Sequence, residues 1–492
     1  MNDDFQLLTS KRVLARNVFW NFVGMVAPLV VALVSIPVLL SGMGSDRFGL
    51  LAIIWAGVGY FSLFDLGLGR ALTKMVSARL GSGEVHDLGP LIWTAIVLLA
   101  ILGMLGSSLI LLSSSYLVGG LLRVPDVLYG EGVAALRVLA VGLPVVTMTA
   151  GLVGLLEAHQ RFGVIAAIRV PMGVLTFAGP LLTLQFTPSL VYATVVLVLG
   201  RLVGFAAYYW AARRVRSELV FPHRVHFLHL HYLLTFGGWL TVSNVIGPLM
   251  TYLDRFFIGA ISGMTAVAYY VTPYEVLSRF QLISKAVMGV AFPAMSASRS
   301  GDRNRLISLY SASGHIIYWI TLPLTVAAFL FAPEALHVWL GGDFREVSTI
   351  VVCWLAAGWL INAIARPALT ILQSVGRPDL VAKAHVSELI PYLGLMWWLT
   401  NEFGIAGAAA AWSVRATADA LILVTICRHV LGELRPLVYR SYAKIVLSVI
   451  MFMMLSLLDS ILLRFIALFV VFMVAGFILL RIVIITSGLR EE

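Results

Sequence analysis

The sequence predicts an all-α polytopic membrane protein of about fourteen transmembrane helices, arranged as two pseudo-symmetric six-helix lobes followed by a C-terminal helix pair. Three observations predict it. Of 492 residues, 60% are hydrophobic and only 12% charged, with a mean hydropathy of +0.96, whereas a soluble domain is about 25% charged. The apolar residues fall into runs of the roughly 20 residues that a helix needs to cross a hydrocarbon core of about 30 Å. The basic residues fall between these runs, on alternate loops.

Taken in order, the first lobe holds spans near 18–40, 48–68, 89–113, 133–156, 162–187 and 190–212. The segment from Asn17 to Leu40 is longer than the apolar region of a signal peptide and ends at Ser41-Gly42-Met43-Gly44 without a convincing cleavage site, so it reads as span one. The second lobe holds spans near 232–261, 266–296, 306–331, 347–372, 380–400 and 405–428, and the final pair lies near 439–458 and 465–485. The resulting organisation is an N-lobe over 1–212, a basic cytoplasmic linker over 213–231, a C-lobe over 232–430, and the helix pair with its tail over 431–492.

Charge alternation tests this map independently. With both termini inside, 21 of the 34 Lys and Arg fall on the cytoplasmic side, in clusters such as Lys11, Arg12 and Arg16 or Arg213, Arg214, Arg216 and Arg224. The external side holds four, Arg47, Arg123, Arg345 and Arg464, and the rest lie within spans. The largest external segment expected runs from about Ser114 to Gly132, so no extramembrane domain of useful size is expected. The net charge of +10 therefore reports topology, and no nucleic-acid partner is indicated.

A weak internal repeat supports the two lobes. Leu155-Leu156-Glu157-Ala158-His159-Gln160-Arg161-Phe162 aligns with Ile371-Leu372-Gln373-Ser374-Val375-Gly376-Arg377-Pro378, and Val198-Leu199-Gly200-Arg201 aligns with Trp412-Ser413-Val414-Arg415 after a two-residue gap. Six spans per half is an even number, so both copies run the same way and the symmetry axis lies along the membrane normal.

Charges inside spans cost about 2.5–3.5 kcal/mol at the helix centre, so each calls for a partner or a wet cavity. Arg201 and Arg415 sit near the midplane, roughly 15 Å into spans six and twelve at about 1.5 Å per residue. Asp419, one turn beyond Arg415, is placed to form a local ion pair with it, whereas Arg201 has no such neighbour. Span eight carries Glu275, Arg279 and Lys285, the first two in the favourable i, i+4 order, and span seven carries Asp254 and Arg255, which point about 100° apart. Arg169 and Glu388 lie at moderate depth in spans five and eleven. These groups can neutralise one another in helix packing or snorkel to the interface. The set as a whole is richer in arginine than in acid, and an uncompensated basic cavity suits an anion such as a diphosphate, which a planar guanidinium holds bidentately. Arg201, Arg279, Arg415, Lys285 and Arg255 are thus the substrate-binding candidates, expected to line an inward-opening cavity. Asp254, Glu275, Glu388 and Asp419 are the ion-coupling or charge-pair candidates.

Other signals are weaker. Cys353 and Cys427 lie in separate apolar stretches without metal or disulfide spacing. The histidines of Pro222–His231 have no acid or cysteine nearby and fit an interfacial segment better than a metal site. None of the five lysines follows a glycine, so there is no P-loop, and hydrolase motifs are absent; no catalytic residue, cofactor or metal is expected.

The stretches Phe48-Gly49-Leu50-Leu51, Gly59-Tyr60-Phe61-Ser62-Leu63-Phe64-Asp65-Leu66-Gly67-Leu68-Gly69-Arg70-Ala71-Leu72, Leu253-Asp254-Arg255 to Ile258-Gly259 and Val267-Ala268-Tyr269-Tyr270 resemble polysaccharide transporters of the O-antigen flippase (Wzx) type. These belong to the multidrug/oligosaccharidyl-lipid/polysaccharide exporter superfamily. The resemblance implies two lobes around a central cavity and alternating access. It also implies an undecaprenyl-pyrophosphate-linked oligosaccharide flipped from the cytoplasmic to the periplasmic face of a bacterial inner membrane, for surface polysaccharide. Membrane lipids, a polysaccharide polymerase and a chain-length regulator are the partners it implies. The extra helix pair is more usual in the lipid II branch and in some polysaccharide transporters. Alternative readings are a lipid II flippase, or a cation extruder, which would favour acidic cavity groups. A membrane-embedded polymerase or glycosyltransferase would want a sizeable external loop, and a scaffold for sugar-assembly enzymes is a further possibility.

Overall fold

The computed structural model describes residues 28–60, 65, 68–82, 88–122, 124–159, 161–215, 250, 252–297, 303–432 and 435–488, and among these there is helix and no strand. The chain divides into two compact units, Met1–Ala268 and Tyr269–Glu492. The first contains α1 (Pro28–Met43), α2 (Ser45–Tyr60), α3 (Leu68–Ser82), α4 (Leu88–Tyr116), α5 (Asp126–Ala158), α6 (Phe162–Leu184), α7 (Leu190–Val215) and α8 (252–262). The unit boundary falls inside α9 (Met264–Leu277). The second unit continues with α10 (Gln281–Ala297), α11 (Arg303–Leu330), α12 (Ala332–Leu340), α13 (Gly342–Ser374), α14 (Pro378–Val430), α15 (Arg435–Leu455) and α16 (Ile461–Gly488). Nine of the described helices are long and apolar enough to cross a membrane. Residues 216–231 of the expected linker with their histidine run, 18–27 of span one and 232–249 of span seven lie outside the described residues.

Helices surrounded by lipid gain little from hydrophobic exclusion against one another, so close packing and interhelical hydrogen bonds must hold them. The first unit shows both devices. A Cβ added at Gly154 of α5 would stand 2.4 Å from the Gly69 carbonyl of α3, so only glycine lets these backbones meet. Thr73 uses the approach, its Oγ1 donating to the Gly154 carbonyl at 3.1 Å. Between α4 and α5, Thr147 Oγ1 donates to the Leu99 carbonyl at 2.9 Å. Around these contacts Leu72, Leu91, Leu99, Leu155 and Ile165 form a buried core joined by Tyr208 of α7.

The second unit is built on α13 and α14. Ser413 Oγ of α14 donates to the Trp354 carbonyl of α13 at 2.7 Å, and the rings of Trp359 and Trp412 lie 4.5 Å apart. Although α14 is one 53-residue stretch, Gly404 inside it has φ 57° and ψ −137°, values foreign to a helix. The two arms fold back on each other there, because Tyr392 meets Arg415 and His385 meets Asp419, pairs disposed about Gly404. Spans eleven and twelve, expected at 380–400 and 405–428, are these arms. α15 is tied to α11 by a hydrogen bond between Tyr318 and Ser448 hydroxyls at 3.1 Å. α16 leaves Leu462, Phe469, Met473 and Phe477 exposed, an outer face suited to lipid.

Two expectations change. The external segment placed at Ser114–Gly132 is mostly helical, since α4 runs on through a π turn to Leu121 and α5 begins at Asp126. The serines at this point bond back into the helix, Ser113 to the Leu109 carbonyl and Ser114 to the Leu111 carbonyl, at 2.7 and 2.9 Å. The short helix α12 was not expected; Glu334 in its first turn accepts from Arg464 Nη1 at 3.2 Å.

Candidate functional site

In the first unit, α6 and α7 cross with small residues between them, and the space they leave is a cavity of about 240 Å³. Thr149 and Val153 of α5, Arg169 and Met172 of α6, and Arg201 and Tyr208 of α7 line it. Tyr208 is oriented by two contacts: its hydroxyl donates to the Ile165 carbonyl at 3.3 Å and is hydrogen-bonded to Arg169. Arg201 lies beside the same ring, and among the described residues no carboxylate stands within ion-pair distance of Arg201 or Arg169. Two guanidiniums and a phenol therefore share one cavity, with no carboxylate within ion-pair distance of either guanidinium among the described residues, an arrangement suited to an anion.

In the second unit a denser polar cluster gathers where α13 meets both arms of α14. Asn362 Oδ1 accepts from Arg366 Nε and Nη2 at 3.2 and 2.9 Å, one turn apart on α13. Asp419 and Arg415 are the charged groups that act most on Arg366. Arg415 is held between aromatic faces, 5.5 Å from the Tyr392 centroid and 5.9 Å from that of Trp412. Asp419 is buried, and its Oδ1 lies 3.3 Å from His385 Nε2 on the opposite arm. Glu388 is buried too, and neither of its carboxylate oxygens has a hydrogen-bond partner among the described residues. Asn362 occupies two of the five N–H donors of Arg366, which leaves the others for a further acceptor.

The remaining candidates are distributed as follows. Glu275 and Arg279 form the i, i+4 ion pair at 3.3 Å. Lys285 is exposed on α10, within electrostatic reach of Arg279 and Arg366. Asp254 and Arg255 are both buried in the first unit; Asp254 Oδ1 accepts from the Arg255 backbone N–H at 2.7 Å, and the guanidinium lies 5.1 Å from the Tyr252 centroid. The structure thus brings Arg415, Asp419 and Glu388 into one cluster in the second unit and places Arg201 with Arg169 in another in the first. The partner of Asp419 is His385 rather than Arg415, because the fold-back at Gly404 delivers a residue from the other arm.

Sequence reasoning passed over Arg366. It sits in the second half of span ten, and the signal available was the Asn362 four residues earlier, a polar group on the same face of an apolar run.

The profile of a family described as "Polysaccharide biosynthesis protein" matches residues 14–299. A candidate O-antigen transporter of Shigella flexneri is 30% identical over 413 residues, covering 83% of this chain and 96% of that protein. Among solved structures, an inward-facing multidrug resistance MATE family transporter of the MOP superfamily aligns with a TM-score of 0.72 at 13% identity, covering 84% of this chain and 99% of the other. The lipid II flippase MurJ in an inward closed conformation aligns with a TM-score of 0.67 at 15% identity over 96% of this chain and 100% of that one. The fold is that of these transporters.

Proposed function

The chain belongs to the polysaccharide biosynthesis protein family, and from that premise we propose that it is a flippase, moving an undecaprenyl-pyrophosphate-linked oligosaccharide from the cytoplasmic to the periplasmic leaflet by alternating access. The observation that carries this reading is the pair of arginine clusters, Arg201 with Arg169 in one unit and Arg415 with Arg366 in the other. Each offers guanidinium forks suited to a diphosphate. The name of the Shigella relative supports the same substrate class. Arg279 and Lys285 add positive charge near the second cluster, while Glu275 is the charge partner of Arg279 and Asp419 lies 3.3 Å from the His385 ring. Glu388, buried without a hydrogen-bond partner among the described residues, is the group we assign to coupling with an ion gradient. Arg255 and Asp254 we assign to packing within the first unit rather than to substrate. Both termini are read as cytoplasmic and the membrane as the bacterial inner membrane; a polymerase and a chain-length regulator act downstream.

A multidrug extruder shares the fold, but organic cations call for acidic groups where this chain places arginine. Deleting the gene and following lipid-linked oligosaccharide tests the reading. Loss of surface glycan with accumulation of the lipid-linked precursor on the inner leaflet is expected. Unchanged glycan together with new sensitivity to cationic dyes would contradict it.

A further inference from the structure

A small pocket opens where α11, α13 and α15 meet. It is lined by Tyr310, Ser311 and His315 of α11 and by Arg440, Ser441 and Lys444 of α15, with Pro367 of α13 as its apolar wall. Its enclosed space, about 20 Å³, admits one or two water-sized atoms, enough for an oxygen of a larger group that stays mostly outside. Two features make it selective. Its cationic groups have no counter-charge: no carboxylate lines the pocket, and neither Arg440 nor Lys444 has an ion-pair partner among the described residues. Its groups are also held in place. His315 Nδ1–H donates to the Ser311 carbonyl at 2.8 Å, Ser441 is hydrogen-bonded to Tyr310, and Lys444 Nζ sits 4.9 Å from the Tyr318 centroid.

The surface leading away from the pocket states what kind of molecule carries the anion. Along α15, Arg440 is exposed and Lys444 follows one turn on; on the same stripe Leu447 and Met454 are 61% exposed, and Val446 and Ile450 beside them are also open. A basic end thus passes directly into an apolar face on one helix. A free anion has no use for that face, whereas a lipid places its phosphate at one end and its acyl chain along the other.

We propose that this pocket seats the phosphate of an anionic phospholipid head group, with an acyl chain along α15, so that a bound lipid fastens α15 to α11. None of the residues lining it belongs to the arginine clusters assigned to transport, and the proposal rests only on the chain spanning a membrane. Arg440 and Lys444 supply the charge, the Ser311 hydroxyl donates to a phosphate oxygen, and a zwitterionic head group is disfavoured because its ammonium would face the same cations.

The test is native mass spectrometry of the purified full-length protein in detergent, titrated with phosphatidylglycerol, phosphatidylcholine or inorganic phosphate. One tightly retained phosphatidylglycerol is expected, displaced by neither phosphatidylcholine nor inorganic phosphate at equal concentration. At about 1 kcal/mol per basic residue near a lipid surface, R440Q/K444Q should bind about thirtyfold more weakly, and Arg440→Gln alone, an exposed change that cannot unfold the protein, about fivefold. The control R213Q/R214Q, on the basic end of α7, should bind as the unaltered protein does. Equal affinity for phosphatidylcholine, full competition by inorganic phosphate, or undiminished phosphatidylglycerol binding by Arg440→Gln and R440Q/K444Q would each overturn the proposal. Because the readout is lipid binding, its failure is distinguishable from failure of the flippase reading.

Discussion

Replacing Arg201 with alanine removes one of the two guanidiniums in the α5–α6–α7 cavity and should separate binding from folding. A bidentate guanidinium–phosphate contact contains two charge-assisted hydrogen bonds, each worth about 1.5–3 kcal/mol. The cavity of about 240 Å³ is large enough to admit water, so the lower end applies. The expected loss is about 3 kcal/mol, or roughly two orders of magnitude in substrate affinity. Stability should not fall with it. Removing one member of a buried ion pair costs about 3–5 kcal/mol because it orphans a charge, but no described carboxylate pairs with Arg201. Arg201→Ala should therefore express and melt like the parent chain while surface glycan is lost. Arg201→Lys keeps the charge but not the fork, and should restore an intermediate level. Quantitative glycan blotting beside membrane protein level reads both quantities. Normal glycan in Arg201→Ala, or glycan lost only in proportion to protein, would refute the reasoning.

Arg366→Lys should lower transport about tenfold, since the Asn362 contact and the fork toward a further acceptor both depend on guanidinium geometry; Asn362→Ala should cost less, because it orients Arg366 without carrying charge. Glu388→Gln should leave substrate binding intact while abolishing acceleration by an imposed ion gradient in proteoliposomes, and a retained gradient response would remove Glu388 from that role. Gly154→Ala should destabilise the first unit by about 1–3 kcal/mol, seen as a lower melting temperature, because its Cβ would stand 2.4 Å from a backbone oxygen that cannot turn aside.

The helical architecture was legible because hydropathy and charge alternation are one-dimensional signals. The fold-back of α14 at Gly404 lies in the gap expected at 401–404, where an apolar run is broken by Asn401 and Glu402. Arg201 was legible from depth alone, since a midplane arginine without a neighbouring acid must find its environment elsewhere. The pairing of Asp419 was not. Local spacing sees only Arg415 four residues away, whereas His385 arrives from the other arm and competes for the same carboxylate. Arg366 escaped for a related reason: its environment is set by α13 being packed inside the second unit, where Asp419 and Arg415 of α14 act on it. The helix continues past the expected end of span three because the serine hydroxyls there are satisfied by carbonyls of their own helix.

The central claim is tested most directly by reconstituting the purified protein into liposomes carrying a fluorescent polyprenyl-diphosphate-linked oligosaccharide and measuring its transfer between leaflets with an impermeant quencher. Protein-dependent transfer, lost in the Arg201→Ala and Arg415→Ala variants, is the result the account predicts. Transfer no faster than in empty liposomes, with cationic dyes transported instead, would contradict it.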